Sequence, residues 1–192
     1  MPLANRIDPF GRRAALPGRG LFTGNRGCLV THAGAITRAS ASPAWLICTL
    51  VWRQARQPLA APHTWTPLFF LDEATAFAAG HRPCARCRRP AFQALLAATG
   101  HRRAAELDRV LAVERRAERP MADPRTLPLG AMVADGLDAY LVAAEGVRRW
   151  SMAGYGPPEP WPAHPLPVLT PALHLAALAN GYPVVIQGSG HE

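Results

Sequence analysis

The segment HRPCARCRR, with Cys84 and Cys87 at C-x-x-C spacing, constrains this chain more than any other. Two thiolates two residues apart in a tight turn can chelate one tetrahedral zinc ion, because the turn directs both sulfurs to one point. The chain holds 4 cysteines, and the other two, Cys28 and Cys48, fall on separate predicted strands. Four thiolates would complete a closed structural site with no open position. Cys28, Cys48, Cys84 and Cys87 are therefore the expected ligands of one Zn2+, with His32 and His81 as substitutes should one cysteine drop out. Other readings stay open. Cys48 lies in an apolar strand and could be a core thiol. A C-x-x-C pair can also be redox-active, although such pairs usually open a helix beside a βαβ unit and none precedes this one.

The surroundings favour ligands or free thiols over disulfides. No apolar run approaches the ~18 residues of a membrane span, and MPLANRIDPFGRR has no apolar signal region. The expectation is a soluble, cytoplasmic protein with no membrane partner, in a reducing compartment where disulfides are rare. The 192 residues leave room for one domain or two small ones.

The chain predicts an α+β protein. Residues 1–20 read as an irregular Gly/Pro/Arg-rich arm. Residues 21–30, 44–52 and 65–72 read as strands, the first continuing as a hairpin with its turn near Ala33-Gly34. Asp72 is a candidate N-cap for the helix EATAFAA, and Gly80 ends it. Pro90 opens a second helix that Gly100 breaks, and 104–119 forms a third. A proline-containing linker from Pro120 to Pro128 leads to a predicted meander over 131–136, 138–143 and 147–151. Residues 154–167, rich in proline, exclude a central strand. A Thr170-capped helix over 169–181 and a last strand at 182–187 complete the reading. The expected organisation is a small zinc-stabilised strand–helix module at 1–119, with a basic surface, and a small β-rich unit at 120–192.

Charge is unevenly divided. The net charge is +8 and every one of the 21 basic residues is arginine. Residues 1–105 hold 14 of them against Asp8, Asp72 and Glu73, whereas residues 106–192 are net acidic. Arginine donates parallel hydrogen bonds that match phosphate. Arg26, Arg82, Arg86, Arg88 and Arg89 surround the cysteines in sequence and are the expected nucleic-acid contacts, with DNA favoured as partner. Trp45, Trp52 and Trp65 could stack on unpaired bases, or pack in the core. Trp150 and Tyr155 could line an aromatic groove for a peptide or a base, or belong to a small core.

The stretch FFLDEATAFAAGHRPCARCRRP, residues 69–90, resembles the second half of the Ada-type zinc-binding domain of bacterial alkylation-response proteins. Phe69, Phe70, Ala74, Ala78, Gly80, Arg82, Pro83, Cys84 and Cys87 match its pattern in order. The chain also resembles bacterial proteins carrying GNRGC, FFLDEA and GHRPC segments, which implies no activity. The Ada-type resemblance implies one zinc held by four cysteines, a DNA partner, and a thiolate that accepts a methyl group from a methylated phosphotriester. In that family the upstream ligands form a C-x3-C pair that includes the methyl acceptor. Here Cys28 and Cys48 stand 20 positions apart, so the zinc ligands carry over and methyl transfer does not; Cys28 would be the one candidate acceptor.

Catalysis finds little support. There is no G-x-S-x-G, no H-E-x-x-H and no phosphate-cradling G-x-x-x-x-G-K-[ST]. Zinc deaminases share P-C-x-x-C but need an upstream H-x-E or C-x-E, and neither Cys28 nor Cys48 precedes such a glutamate. The sequence thus points to a non-catalytic, zinc-dependent nucleic-acid-binding protein. The alternatives are a structural module whose C-terminal unit binds a protein, and an Ada-like alkyl acceptor.

Overall fold

A computed structural model describes residues 3–30, 35–51 and 64–188. The expected turn at Ala33-Gly34, together with His32, Trp52 and His63, lies outside the described residues. The fold is α+β, as expected, with four α-helices and two principal sheets among the described residues.

The first sheet is assembled from short pieces. Its strands are β1 (Arg6–Ile7), β2 (Arg13–Ala14), β3 (Phe22–Asn25), β4 (Leu46–Thr49), β5 (Leu68–Phe70) and, after the first helix, β6 (Arg82–Pro83), in spatial order β2-β1-β5-β3-β4-β6. Two pairings, β1 with β5 and β4 with β6, are parallel and the others antiparallel. The arm at 1–20, expected to be irregular, thus contributes the edge strand β2 and its neighbour β1. Strand β5 is shorter than the expected 65–72, since Pro67 lacks the N–H that would extend the ladder.

The helix α1 (Glu73–Ala78) starts as expected: Asp72 Oδ1 accepts from the Thr75 amide at 2.8 Å. Gly80, at φ +77°, turns the chain into β6, and a Cβ there would lie 2.6 Å from Arg115 Cγ. Two further helices, α2 (Arg89–Thr99) and α3 (Ala104–Glu114), follow, with Pro90 in the first turn of α2 and Gly100 left-handed at its end. The third helix stops earlier than the expected residue 119. Phe70, Phe77, Leu95, Leu107 and Leu111, all fully buried, form the main core between these helices and the sheet.

After β7 (Met121–Ala122) comes an antiparallel meander of β8 (Met132–Asp135), β9 (Asp138–Ala143), β10 (Gly146–Ser151) and β11 (Gly154–Glu159). The proline-bearing β11 sits at the edge, where a missing N–H faces outward. A short β12 (Leu166–Pro167) pairs with β7. The last helix, α4 (Ala172–Ala179), takes Pro171 as its N-cap. Thr170, expected to cap it, instead accepts from the Met132 amide at 2.8 Å. Residues 182–187 are not a strand: they run as an irregular strap in which the Val185 and Gln187 amides bond carboxylates rather than a sheet.

The core runs across residue 120. Leu173, Ala177 and Tyr182 join Ile7, Phe70 and Phe77 in one cluster, and Ala74 and Ala78 of α1 pack with Met132 and Leu141 of the meander. Two buried acids reinforce the junction. Asp72 Oδ2 accepts from Tyr155 at 2.8 Å and from the Gln187 amide at 3.1 Å. Glu73 Oε1 accepts from Tyr182 at 2.8 Å and from Arg88 at 2.5 Å, while Oε2 accepts from the Val185 amide at 3.1 Å. Trp150 donates to Thr75 at 3.0 Å, so the aromatic pair Trp150 and Tyr155 anchors the meander to α1. Among the described residues, no helix is long and apolar enough to cross a membrane.

Candidate metal centre

Register explains how distant cysteines meet. The parallel ladder of β4 and β6 pairs Ile47 with Pro83, and the Cys84 amide donates to the Ile47 carbonyl at 2.9 Å. The next residues on the two strands are Cys48 and Cys84, which stand side by side. The chain then turns on itself: the Arg88 amide donates to the Cys84 carbonyl at 3.0 Å, and α2 begins at the following residue. This turn brings Cys87 back to the same spot. The sulfurs of Cys48, Cys84 and Cys87 all lie within 4.8 Å of one another. Thiolates on a tetrahedral ion at ~2.3 Å bonds stand about 3.8 Å apart, so these three need only small side-chain adjustments to share one metal ion.

The knuckle is also built for thiolates. The Arg86 amide points at Cys84 Sγ at 3.4 Å, and the Cys87 amide adds a second backbone hydrogen bond to the same sulfur. Hydrogen bonds from Cys48 and Cys87, followed by these amides, pull the Cys84 thiol well below the usual range. The Cys48 thiol is driven the other way, first by its hydrogen bonds to Cys84 and Cys87 and then by burial. A bound cation would favour the charged form of all three. The donor set is wholly sulfur, which suits zinc or another thiophilic ion and excludes calcium or magnesium, whose ligands are oxygens. All three cysteines are half-buried, so the centre lies at the surface.

Comparison with protein-family models, curated proteins and solved structures finds no match to this chain.

The other expected site residues are placed differently. Cys28 stands outside the three-sulfur group, and its thiol donates to the Val30 carbonyl at 3.6 Å. His81 is fully buried behind β6 and accepts from Arg26 Nε at 3.1 Å. Burial, then the charges of Arg26 and Arg115, hold its imidazole well below its ordinary range, so it is neutral.

Of the five arginines expected on a nucleic-acid face, three are internal. Arg82 is buried and forks onto Asp108 through two bonds of 2.7 Å. Arg88 is buried against Glu73 and lies 4.2 Å over the Phe22 ring. Arg26 is buried between Trp45, with its guanidinium 3.7 Å from the ring centroid, and the Gly11 carbonyl. Nearness in sequence suggested a basic fringe, but both residues of β6 are buried, and the knuckle turns Arg88 inward while leaving Arg86 and Arg89 outside. Arg86 and Arg89 are the two that remain exposed beside the cysteines.

The sequence reading missed the structural role of Asp72–Glu73. Two adjacent acids in a segment otherwise apolar, FFLDEATAFAA, were the available signal, since such acids are buried only with partners. The partners lie more than 80 residues away at Tyr155, Tyr182 and Gln187 and could not be read from spacing.

Proposed function

We propose that this chain is a zinc protein in which Cys48, Cys84 and Cys87 hold the ion, and in which the exposed Arg86 and Arg89 present this corner to nucleic acid, with DNA the first candidate. The convergence of three sulfurs from β4 and from the knuckle carries the metal part of the reading. Of the sequence candidates for a fourth ligand, Cys28 stands outside the three-sulfur group and His32 lies outside the described residues. Zinc bound here would cross-link β4 to the start of α2 and neutralise the thiolates. The role we assign to it is structural, since the sulfur group among the described residues is made of cysteines alone. The Ada-type resemblance of residues 69–90 supports both the metal and the partner. In this chain, however, most of the matching residues have a structural task. Phe70 and Ala74 are core, Gly80 turns the chain, and Arg82 pairs with Asp108.

Support for nucleic acid is the excess of arginine in residues 1–105 and the two exposed guanidiniums flanking the cysteines. Phosphates neutralised by arginine release counterions, so affinity should fall with salt at a log–log slope of roughly 0.9 per contact. Two measurements test the reading. Elemental analysis of the purified protein should give one zinc per chain, and absence of stoichiometric metal overturns it. DNA binding should weaken with salt, and the double variant Arg86→Ala/Arg89→Ala should lower the slope by about 1–2. Binding insensitive to both salt and these substitutions would leave a structural zinc module with a protein partner.

A further inference from the structure

A cleft on another part of the molecule gathers cations that the metal centre does not use. Its volume is about 240 Å³, and it lies between the end of α3 and the chain entering α4, with Phe10, Gly11, Trp45, Arg115 and Arg119 in its walls. This is smaller than the roughly 300–1,000 Å³ of pockets for drug-sized ligands, so its occupant is small.

The charge around the cleft is unbalanced. Arg115 donates to the carbonyls of Gly80 at 2.9 Å and Pro43 at 3.0 Å, and lies 4.3 Å over Trp45. Arg26 occupies the ring's environment too, so Trp45 is approached by two guanidiniums. Arg26 is 3% exposed, its Nη2 has no hydrogen-bond partner, and that nitrogen lies 3.5 Å from the position of a Cβ on Gly11. Its Nε and Nη1 go to a neutral imidazole and a carbonyl, so none of its bonds reaches a carboxylate. Arg119 rests 5.2 Å over the Phe10 ring. Burial and mutual repulsion lower the pKa of Arg26 to about 9 and, chiefly through burial, that of Arg115 to about 10. Two of the nearby acids are engaged elsewhere. Asp8 pairs with Arg12 at 2.7 Å, and Glu114, in the cleft wall, accepts from the Leu173 amide at 3.3 Å. Glu118, also in the wall, is exposed.

Buried cations without a carboxylate are costly, and an anionic ligand would compensate them. Guanidiniums from two places in the chain, Arg115 and Arg119 at and just after the end of α3 and Arg26 behind them from the segment after β3, fit a tetrahedral anion better than a planar carboxylate, whose two oxygens one arginine fork can satisfy.

We propose that this cleft binds a small phosphate monoester, with Arg119 and Arg115 at the phosphate and Arg26 supplying charge from behind Trp45. The monoester is either a free small molecule or the terminal phosphate of a nucleic-acid strand. The site is independent of the metal reading, because none of its residues is a cysteine or belongs to the knuckle.

The test uses the full chain, titrated calorimetrically with inorganic phosphate, a nucleoside 5′-monophosphate, a short 5′-phosphorylated oligonucleotide and its unphosphorylated twin. Acetate at equal ionic strength is the control. Binding of the phosphate monoesters is expected, with acetate giving none. Arg119→Ala is the variant of choice because Arg119 is exposed, whereas loss of Arg26 endangers the fold; it should weaken binding by about tenfold or more, as removal of a charged hydrogen-bond donor does. A phosphorylated oligonucleotide that outbinds the mononucleotide assigns the site to strand ends. A mononucleotide that binds as well or better assigns it to a free metabolite. The proposal is overturned if the folded protein binds none of the phosphate probes, if acetate binds equally, if the two oligonucleotides bind alike while the mononucleotide does not, or if Arg119→Ala leaves affinity unchanged.

Discussion

The two sheets of this protein are built by opposite means. The meander β8–β11 is made of strands of four to six residues, paired in chain order by ordinary antiparallel ladders. The first sheet is made of strands of two to four residues, gathered from residues 6 to 83 in a permuted order. So few backbone bonds per strand give little local stability, and long loops must be closed to make them. Side chains supply what the ladders lack: the fork of Arg82 on Asp108, the pair Arg88–Glu73, the stack of Arg26 and Arg115 on Trp45, and the three sulfurs. A sheet of fragments needs cross-links, and under the proposed function a metal on the three sulfurs would be the cross-link at its β4–β6 edge.

The largest expected effect follows from removing that link. Apparent zinc free energies in small metal-dependent units are roughly 10–16 kcal/mol, as large as or larger than the 5–15 kcal/mol that holds a typical domain. Chelation, or Cys84→Ser, should release the metal and abolish amide-exchange protection in β4, β6 and the start of α2, while β8–β10 stay protected for longer. Equal protection in both sheets after metal removal would break the contrast. Cys28→Ser separates the ligands further. Because Cys28 stands apart from the other sulfurs, the variant should retain its zinc in elemental analysis, and loss of the metal would place Cys28 in the coordination sphere.

Next in size is the junction between the two sheets. Glu73→Ala leaves Arg88 buried without its carboxylate and Tyr182 without its acceptor. Breaking a buried pair from one side costs about 3–5 kcal/mol. Urea denaturation should show that loss. It should also show whether the sheets still unfold in a single transition: two separated transitions would mean that Glu73 couples them.

What could be read from the sequence follows the same division. Three strands of the meander were legible because turns at Asp135-Gly136 and Glu145-Gly146 and alternating apolar residues are local signals, whereas the proline-bearing β11 was not read as a strand. The Asp72 cap, the Gly80 turn and the C-x-x-C knuckle were legible for the same reason. Cys48 could be suspected as a ligand only because few cysteines exist; its meeting with Cys84 depends on a parallel register that no local pattern encodes. The arginines failed as a guide because charge was judged by position in the chain. Burial with Asp108, Glu73 and Trp45 turned three of them from surface charges into internal cross-links. The strap 182–187, rich in β-branched residues, looked like a strand, but its Val185 and Gln187 amides go to Glu73 and Asp72.

A smaller effect is expected from acid. His174 is fully buried on α4, its ring stacked on Phe77 at 4.0 Å, and burial lowers its pKa from 6.5 to about 3. In the unfolded chain this imidazole takes up a proton below about pH 6.5. In the folded protein it does not do so until near pH 3. The unfolded state therefore binds more protons across that window. Its contribution to stability is intact above pH 6.5 and falls by about 1.4 kcal/mol for each unit of acidification between the two values. His174→Leu removes this proton uptake while leaving every other titrating group in place. The difference in denaturation midpoint between the two proteins should grow in favour of the variant from pH 6.5 to pH 4. A difference that stays constant with pH would mean that the folded histidine titrates normally.

The smallest expected effect makes the comparison sharpest, because it sets like against like. Arg149 and Asp138 form an ion pair of 2.6 Å across β10 and β9, as short as the Arg82–Asp108 bonds of 2.7 Å in the fragmentary half. Their surroundings differ. The side chains of Arg149 and Asp138 are 55% and 45% exposed, those of Arg82 and Asp108 only 5% and 15%. Water and salt screen the first pair, and a meander already held by its ladders gains little from it. Arg149→Ala should leave the urea midpoint unchanged within error at physiological salt. Arg82→Ala strands Asp108, exposes the edge that carries the knuckle and should shift the midpoint strongly. If the two substitutions cost the same, side-chain links matter no more to the first sheet than to the second, and the contrast in construction has no energetic meaning.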